Sequence, residues 1–289
     1  MARWVAGWLL LAACGLVGAR WILRPAQDTW SVVAAGRGGA MLFAQYTVAN
    51  TGVFADQLTT RVVYLRPDGA PLAHRAISGP ATVDAAGVHA PADRLELGPE
   101  GWDARVEGGA LRLRGRVTAA DGPCPASVGK LSGVLEFPDA SASSEGARLE
   151  GPALVVRTHF EGGAVASGAL YAIDDSGAII LDTLSRCPGT LLLDGRAVDV
   201  TVPWINPTPE ATFTLTLRGH QVVVELQERF RDEPAFDGAL RAEAWLALAV
   251  GYREPHVRTQ RVRVRVDDRP AWHGVLVLRD NSGSVSSEP

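Results

Sequence analysis

From residue 29 onward, apolar and polar positions alternate in short runs, and few of these runs persist at helical spacing. Residues 29–34, 41–50 and 59–65 read as strands, divided by the turn signals Gly36-Arg37-Gly38-Gly39 and Asn50-Thr51-Gly52 and closed by Arg66-Pro67-Asp68-Gly69. Residues 72–77, 95–97, 104–106 and 111–117 continue the series. After a small, polar stretch at 139–146, strands resume at 153–160, 165–173, 178–183, 190–193, 197–202, 212–217 and 221–228. The turns Asp174-Asp175-Ser176-Gly177, Asp194-Gly195 and Arg218-Gly219-His220 separate several of them. Residues 261–266 alternate most strictly: Arg261, Arg263 and Arg265 point one way, and Val262, Val264 and Val266 the other. A last strand is expected at 272–278.

Residues 240–252 fit a strand at period two and a helix at i+4. Their composition favours helix and their flanking strands favour sheet, and the expectation adopted is strand. The whole pattern predicts an all-β protein of two consecutive antiparallel β-barrels or sandwiches behind an N-terminal segment of another kind. The divisions are 1–24, a signal peptide or membrane anchor; 25–146 and 147–279, the two β domains; and 280–289, a polar tail expected to fray.

The leader is apolar from Trp4 to Ala19 between Arg3 and Arg20, as membrane-targeting segments are. Three fates stay open. Val17-Gly18-Ala19 offers a signal peptidase its small residues; residues 4–23 reach membrane-spanning length if Arg20 snorkels; Leu11-Ala12-Ala13-Cys14 resembles a lipobox that would lipidate Cys14. Each predicts an exported chain at the periplasmic or extracytoplasmic side, secreted or held to the membrane through residues 3–23. Cys124 and Cys187 lie in Pro/Gly turns, and in that compartment they are expected to pair, stabilising by roughly 3–5 kcal/mol in the chain-entropy model. Two inert free thiols are the alternative.

Composition narrows the partners. With 47% hydrophobic residues the chain can bury a core, and its formal charge of −4 argues against nucleic acid. The six histidines show no metal-ligand spacing, and there is no nucleophile elbow, phosphate loop or dinucleotide fingerprint, so no metal and no cofactor are expected. Gly36-Arg37-Gly38-Gly39 leads into a strand and so lacks a helix N-terminus to bind phosphate.

The stretch from Ala40 through Gln45, Tyr46 and Asn50-Thr51-Gly52, followed by Gln57-Leu58-Thr59-Thr60 and Pro67-Asp68-Gly69, resembles the opening of a lipocalin-like family. That family includes carotenoid 1,2-hydratase, tocopherol cyclase-like and survival-factor proteins. Phe236-Asp237-Gly238-Ala239-Leu240-Arg241 is similar to a segment late in its second domain. The resemblance implies two lipocalin-like barrels that handle a lipid or isoprenoid, with hydration or cyclisation as the chemistry. At the entry to the second domain, where family enzymes are rich in His, Asp, Asn and Trp, residues 157–163 keep only His159.

Acid-catalysed hydration needs a carboxylic acid and a group that activates water. His159, Glu161 and Asp182 are the candidates; Asp174 and Asp175 read better as a turn. Gln45, Tyr46, Tyr64, Tyr171, Trp204 and Trp245 are candidates to line an apolar ligand pocket, with plain core as the alternative. The arginine row could grip a headgroup inside a barrel, but a solvated face is favoured because the valines opposite must go to a core. The first expectation is therefore a carrier of an apolar small molecule or lipid, accessory to lipid or lipoprotein transport and meeting membrane transport or envelope proteins. A hydratase- or cyclase-type lyase and a structural envelope module without a ligand are its rivals.

Overall fold

The computed structural model describes residues 26–49, 57–66, 72–108, 111–120, 126–136, 147–161, 167–183, 188–206, 210–234 and 256–280. The expected leader, Cys14, Cys124, Cys187, segment 240–252, Trp245 and the tail lie outside them. Within them the chain is all-β, as its alternation requires, with nineteen strands and one short 3-10 turn, Arg37–Gly39.

The first sheet has 11 strands. They are β1 (Ala26–Ala35), β2 (Met41–Ala49), β3 (Gln57–Leu65), β4 (Leu72–Pro80), β5 (Thr82–Asp84), β6 (Gly87–His89), β7 (Arg94–Gly98), β8 (Gly101–Gly108), β9 (Leu111–Ala120), β10 (Ala126–Glu136) and β11 (Ala147–Glu161). Each pairs antiparallel with the next except β4 with β5, and β11 returns to pair with β1. The two edge strands, β4 and β5, are joined through Ala81 alone. One residue cannot span a flat sheet of that width, so the sheet must curl until its edges meet.

The second sheet has 8 strands on the same plan: β12 (Ser167–Asp174), β13 (Gly177–Asp182), β14 (Gly189–Leu193), β15 (Arg196–Val200), β16 (Thr212–Leu217), β17 (His220–Pro234), β18 (His256–Val266) and β19 (Trp272–Asp280). Its last strand pairs with its first, β19 with β12, and its edges are β15 and β16. Arg218 Nε, in the turn after β16, donates to the Asp199 carbonyl of β15 at 2.9 Å and ties those edges together.

Two differences from the sequence-based expectation concern where sheets begin. The change of sheet falls between Glu161 and Ser167: β11, placed with the second half by the polar 139–146 stretch, completes the first sheet instead. That stretch connects the two arms of the β10–β11 hairpin, in which Leu135 faces Ala147. Strand β10 and the short β5 and β6 were not expected. Glycine and serine at Ser127, Gly129, Ser132 and Gly133 hide the alternation of β10.

Alternation sorts the side chains into three apolar layers. Trp30, Val32, Leu42, Ala44, Tyr46 and Val155 fill the first barrel; Leu170, Ile179, Val262, Val264, Val266 and Trp272 fill the second. The opposite faces of the same strands, Val33, Met41, Phe43 and Leu154 from the first sheet and Tyr171, Ile173, Ile180, Val275 and Val277 from the second, form a third core between the barrels. Residues 41–44 and 169–173 are consequently buried on both faces. Val262, Val264 and Val266 go to the second core, and Arg263 and Arg265 are exposed as the solvated-face reading expects, whereas Arg261 is half-buried and departs from it. Val257, on the arginine face of β18, joins the layer between the barrels.

Candidate functional site

The polar end of the layer between the barrels brings together residues that the sequence keeps apart. On β13, Ala178, Ile180 and Asp182 share the face turned to the first sheet, so Asp182 closes an apolar row with a carboxylate that is only 6% exposed. Tyr171, on the neighbouring β12, donates its hydroxyl to Asp182 Oδ2 at 3.0 Å. Thr158, on β11 of the other sheet, donates to the same oxygen at 3.0 Å. One carboxylate is thus held by one hydroxyl from each barrel. The Tyr171 ring stacks on Phe43 of β2, with centroids 6.4 Å apart, which fixes the phenol from the other side.

Burial, with the Asp182 charge as the next cause, pushes the Tyr171 phenol well above its ordinary range, and Arg279 opposes this only in part. The phenol therefore remains a hydrogen-bond donor through the neutral range.

Register places further hydroxyls beside this group. Across the first sheet Thr158, Thr29 and Thr47 stand in one row, and the Thr29 and Thr47 hydroxyls are 3.2 Å apart. The next row carries Ser31, Gln45 and Arg61, all on the same face as Val33 and Phe43. On the second sheet, Asp182, Ala169, Val277 and Thr259 form the matching row. The Ser31 and Thr259 hydroxyls are buried without a hydrogen-bond partner among the described residues. Among the described residues the seam thus has an apolar floor and a buried, hydroxyl-rich end with the Asp182 carboxylate at its centre.

The sequence candidates divide between this seam and other places. Asp182, Tyr171 and Gln45 lie on it. Tyr46 and Tyr64 point into the first barrel, where burial, then Asp93 and Asp103, pushes the Tyr46 phenol up. Trp204 is 62% exposed and Trp245 lies outside the described residues. Glu161 ends β11 opposite Ala26. His159, one residue beyond Thr158, faces the other way, with Nδ1 3.2 Å from Asp28 Oδ1.

Asp28 Oδ1 also accepts from Arg157 Nε at 3.1 Å and Nη2 at 2.9 Å, and that guanidinium lies 5.5 Å from the Trp30 ring centroid. Alternation in β11 therefore puts Thr158 and His159 on opposite faces of the first sheet, so His159 is turned away from Asp182. Thr158, Ser31, Thr29 and Thr259 escaped the sequence reading. The usable signal was a hydroxyl residue at an inward position of a strand otherwise buried on both faces. Among the described residues no group of His, Cys, Asp and Glu could hold a metal ion.

Two curled up-and-down sheets joined face to face, with a buried carboxylate at their seam, define the class of molecule. No family model and no curated protein matches the chain. Solved structures do. CghA superimposes with a TM-score of 0.53 at 10% identity, covering 89% of this chain and 88% of that one. CghA with Sch210972 gives a TM-score of 0.49 at 10% identity, covering 88% and 87%. Kievitone hydratase from Nectria haematococca gives 0.45 at 9% identity, covering 89% of each chain. The first likeness shows a fold shared over nearly the whole of both chains.

Proposed function

We propose that the chain is a hydratase- or cyclase-type lyase that acts on an apolar, isoprenoid-like alkene at the seam between its barrels. The observation that carries this reading is the Asp182 carboxyl group, buried at the end of an apolar layer and gripped by hydroxyls from both sheets. A carrier needs only the apolar layer; a buried carboxyl group facing it suits proton chemistry.

Thr158 and Tyr171 hold Oδ2, and the proposed cycle starts from a carboxyl group that carries one transferable proton. Asp182 in its acid form delivers that proton to an alkene carbon, leaving a carbocation and a carboxylate. Water captures the cation in hydration and returns a proton to the carboxylate. In cyclisation a second double bond of the substrate attacks, and loss of a proton to the carboxylate closes the cycle. In this reading the Thr29, Ser31 and Thr47 hydroxyls, on the same row as Thr158 and the next, hold the water. We further propose that residues 1–24 take this enzyme out of the cytoplasm, which fractionation of the full chain against a version lacking them tests.

The decisive experiment incubates the purified chain with acyclic isoprenoid alkenes in oxygen-18 water and follows products by mass spectrometry. Hydration incorporates one labelled oxygen, and cyclisation changes retention without changing mass. Turnover lost in Asp182→Asn, with the near-UV spectrum of the fold intact, is the expected result. Turnover retained in that variant, or an alkene bound without conversion, overturns the proposal, the second in favour of the carrier.

A further inference from the structure

At the far side of the second barrel, on the face of its sheet turned away from the seam, three hairpin turns converge around a cleft of about 450 Å³. Its floor is apolar: Leu191 and Leu193 of β14 and Val198 of β15 stand at positions that face the interior of the second barrel, with Leu191 in register between Ile179 and Val198 and Leu193 opposite Arg196. Val198 is 42% exposed there, a large apolar side chain left in contact with water.

The rim is cationic and braced. In the β14–β15 turn Asp194 and Gly195 both have positive φ, the geometry of a tight hairpin, and this sets the Asp194 carboxylate against Arg269. Arg269 Nη1 and Nη2 meet its two oxygens at 2.9 and 2.7 Å. His220 Nδ1 lies 2.6 Å from Asp267 Oδ2, and the Gln221 amide donates to Asp267 Oδ1 at 2.9 Å, so the β16–β17 and β18–β19 turns are also laced together.

Two guanidinium groups are left over from this lacework. Arg196 has no ion-pair or hydrogen-bond partner among the described residues, and Arg218 uses only its Nε, on the Asp199 carbonyl. Both line the cleft beside its apolar floor, in a protein whose formal charge is −4. Forked cationic donors above an apolar trough match a ligand with an anionic head and a hydrocarbon body. The volume lies in the usual range for small-molecule sites, roughly 300–1,000 Å³.

We propose that this cleft is a second binding site, for an amphipathic anion, its carboxylate or phosphate head on Arg196 and Arg218 and its apolar chain on Leu191, Leu193 and Val198. The bracing of the rim pre-organises those donors, so binding needs little rearrangement of the turns. The site lies on the opposite face of the sheet from Asp182 and does not depend on the chemistry assigned there.

Isothermal titration of the full chain with decanoate, decyl phosphate and decanol tests it. Decanoate or decyl phosphate is expected to saturate one site, and the tighter of the two identifies the head. Decanol, with the chain but no charge, should bind much more weakly. Arg196→Gln should weaken the anion about tenfold, the loss of one charge-assisted contact. Val198→Asp should weaken it further, and Asp182→Asn should leave it unchanged. Both cleft positions are exposed, and circular dichroism of each variant confirms that it is folded. No saturation at millimolar anion, equal binding of decanol, or an Arg196→Gln titration indistinguishable from the parent overturns the proposal. Binding abolished by Asp182→Asn but not by Arg196→Gln overturns it too, by moving the ligand to the seam.

Discussion

At the scale of single residues, the molecule's buried phenols set how it responds to alkali. Tyr171 and Tyr46 are enclosed, and burial together with nearby carboxylates raises both well above the usual tyrosine range. Below the unfolded tyrosine value of about 10 both states keep their protons and the stability is fully present. Above it the unfolded chain releases protons that the folded chain still holds, so stability falls by about 1.4 kcal/mol per pH unit for each phenol. Urea midpoints should therefore be level from pH 8 to 9.5 and drop steeply by pH 11. Tyr171→Phe should shallow that drop while lowering the midpoint at pH 8, because Asp182 loses the hydroxyl donated by Tyr171. An unchanged alkaline slope in the variant would remove Tyr171 from the account.

The same residues show how far the site was legible. Asp182 and Tyr171 could be singled out as types of side chain, since a carboxylate and a phenol near an expected strand end are conspicuous. Their meeting could not be read, because it depends on β12 and β13 pairing in one register, with Ala169 opposite Asp182 and Tyr171 opposite Ile180. Thr158 was harder still. It sits next to His159, which drew attention, and only the direction of alternation in β11 decides which of the two reaches the seam.

Among elements, β11 is the strand the sequence places least well and the one on which the first barrel most depends. Its length brings it past the end of β1 at Gly151, where an added Cβ would lie 1.9 Å from the Ala35 carbonyl oxygen. Backbone meets backbone there, so no side chain can give way. Gly151→Ala should cost about 1–3 kcal/mol or more, read as a lower urea midpoint. Gly195→Ala is the informative companion, since nothing lies within 4 Å of its Cβ position and any loss comes from its positive φ alone.

The turns were the most legible elements, for a local reason. Asp174 Oδ1 accepts from the amides of Ser176 and Gly177 at 2.6 and 3.0 Å, so the turn is specified by residues in immediate succession. Pairing partners many residues away carry no such mark. The alternation of β1, β2 and β18 was therefore visible, while the membership of β11 in the first sheet was not.

Across the whole molecule, the layer between the barrels makes two sheets into one structure. Phe43 is fully buried in it and touches the ring of Tyr171 from the other sheet. Phe43→Ala should remove about 3–5 kcal/mol. The loss should appear equally in both barrels, as a single transition seen by the Trp30–Trp102 pair of the first core and by Trp272 of the second. Each of these is a separable probe if the other tryptophans are replaced by phenylalanine. Two transitions, with the second barrel melting at its parental midpoint, would mean that the layer joins bodies that stand alone.

The pairing of first strand with last has a consequence for biosynthesis. A nascent chain that has emerged only as far as β10 holds β1–β4 and β5–β10 as two open meanders with four unpaired strand edges, two of which, on β1 and β10, wait for β11 to pair them. The second half repeats the situation, with β12–β15 and β16–β18 apart until β19 appears. Each barrel is thus sealed by the last of its strands to leave the ribosome, and a translation pause or a nick just ahead of residue 147 or 272 leaves adhesive edges rather than a smaller folded unit.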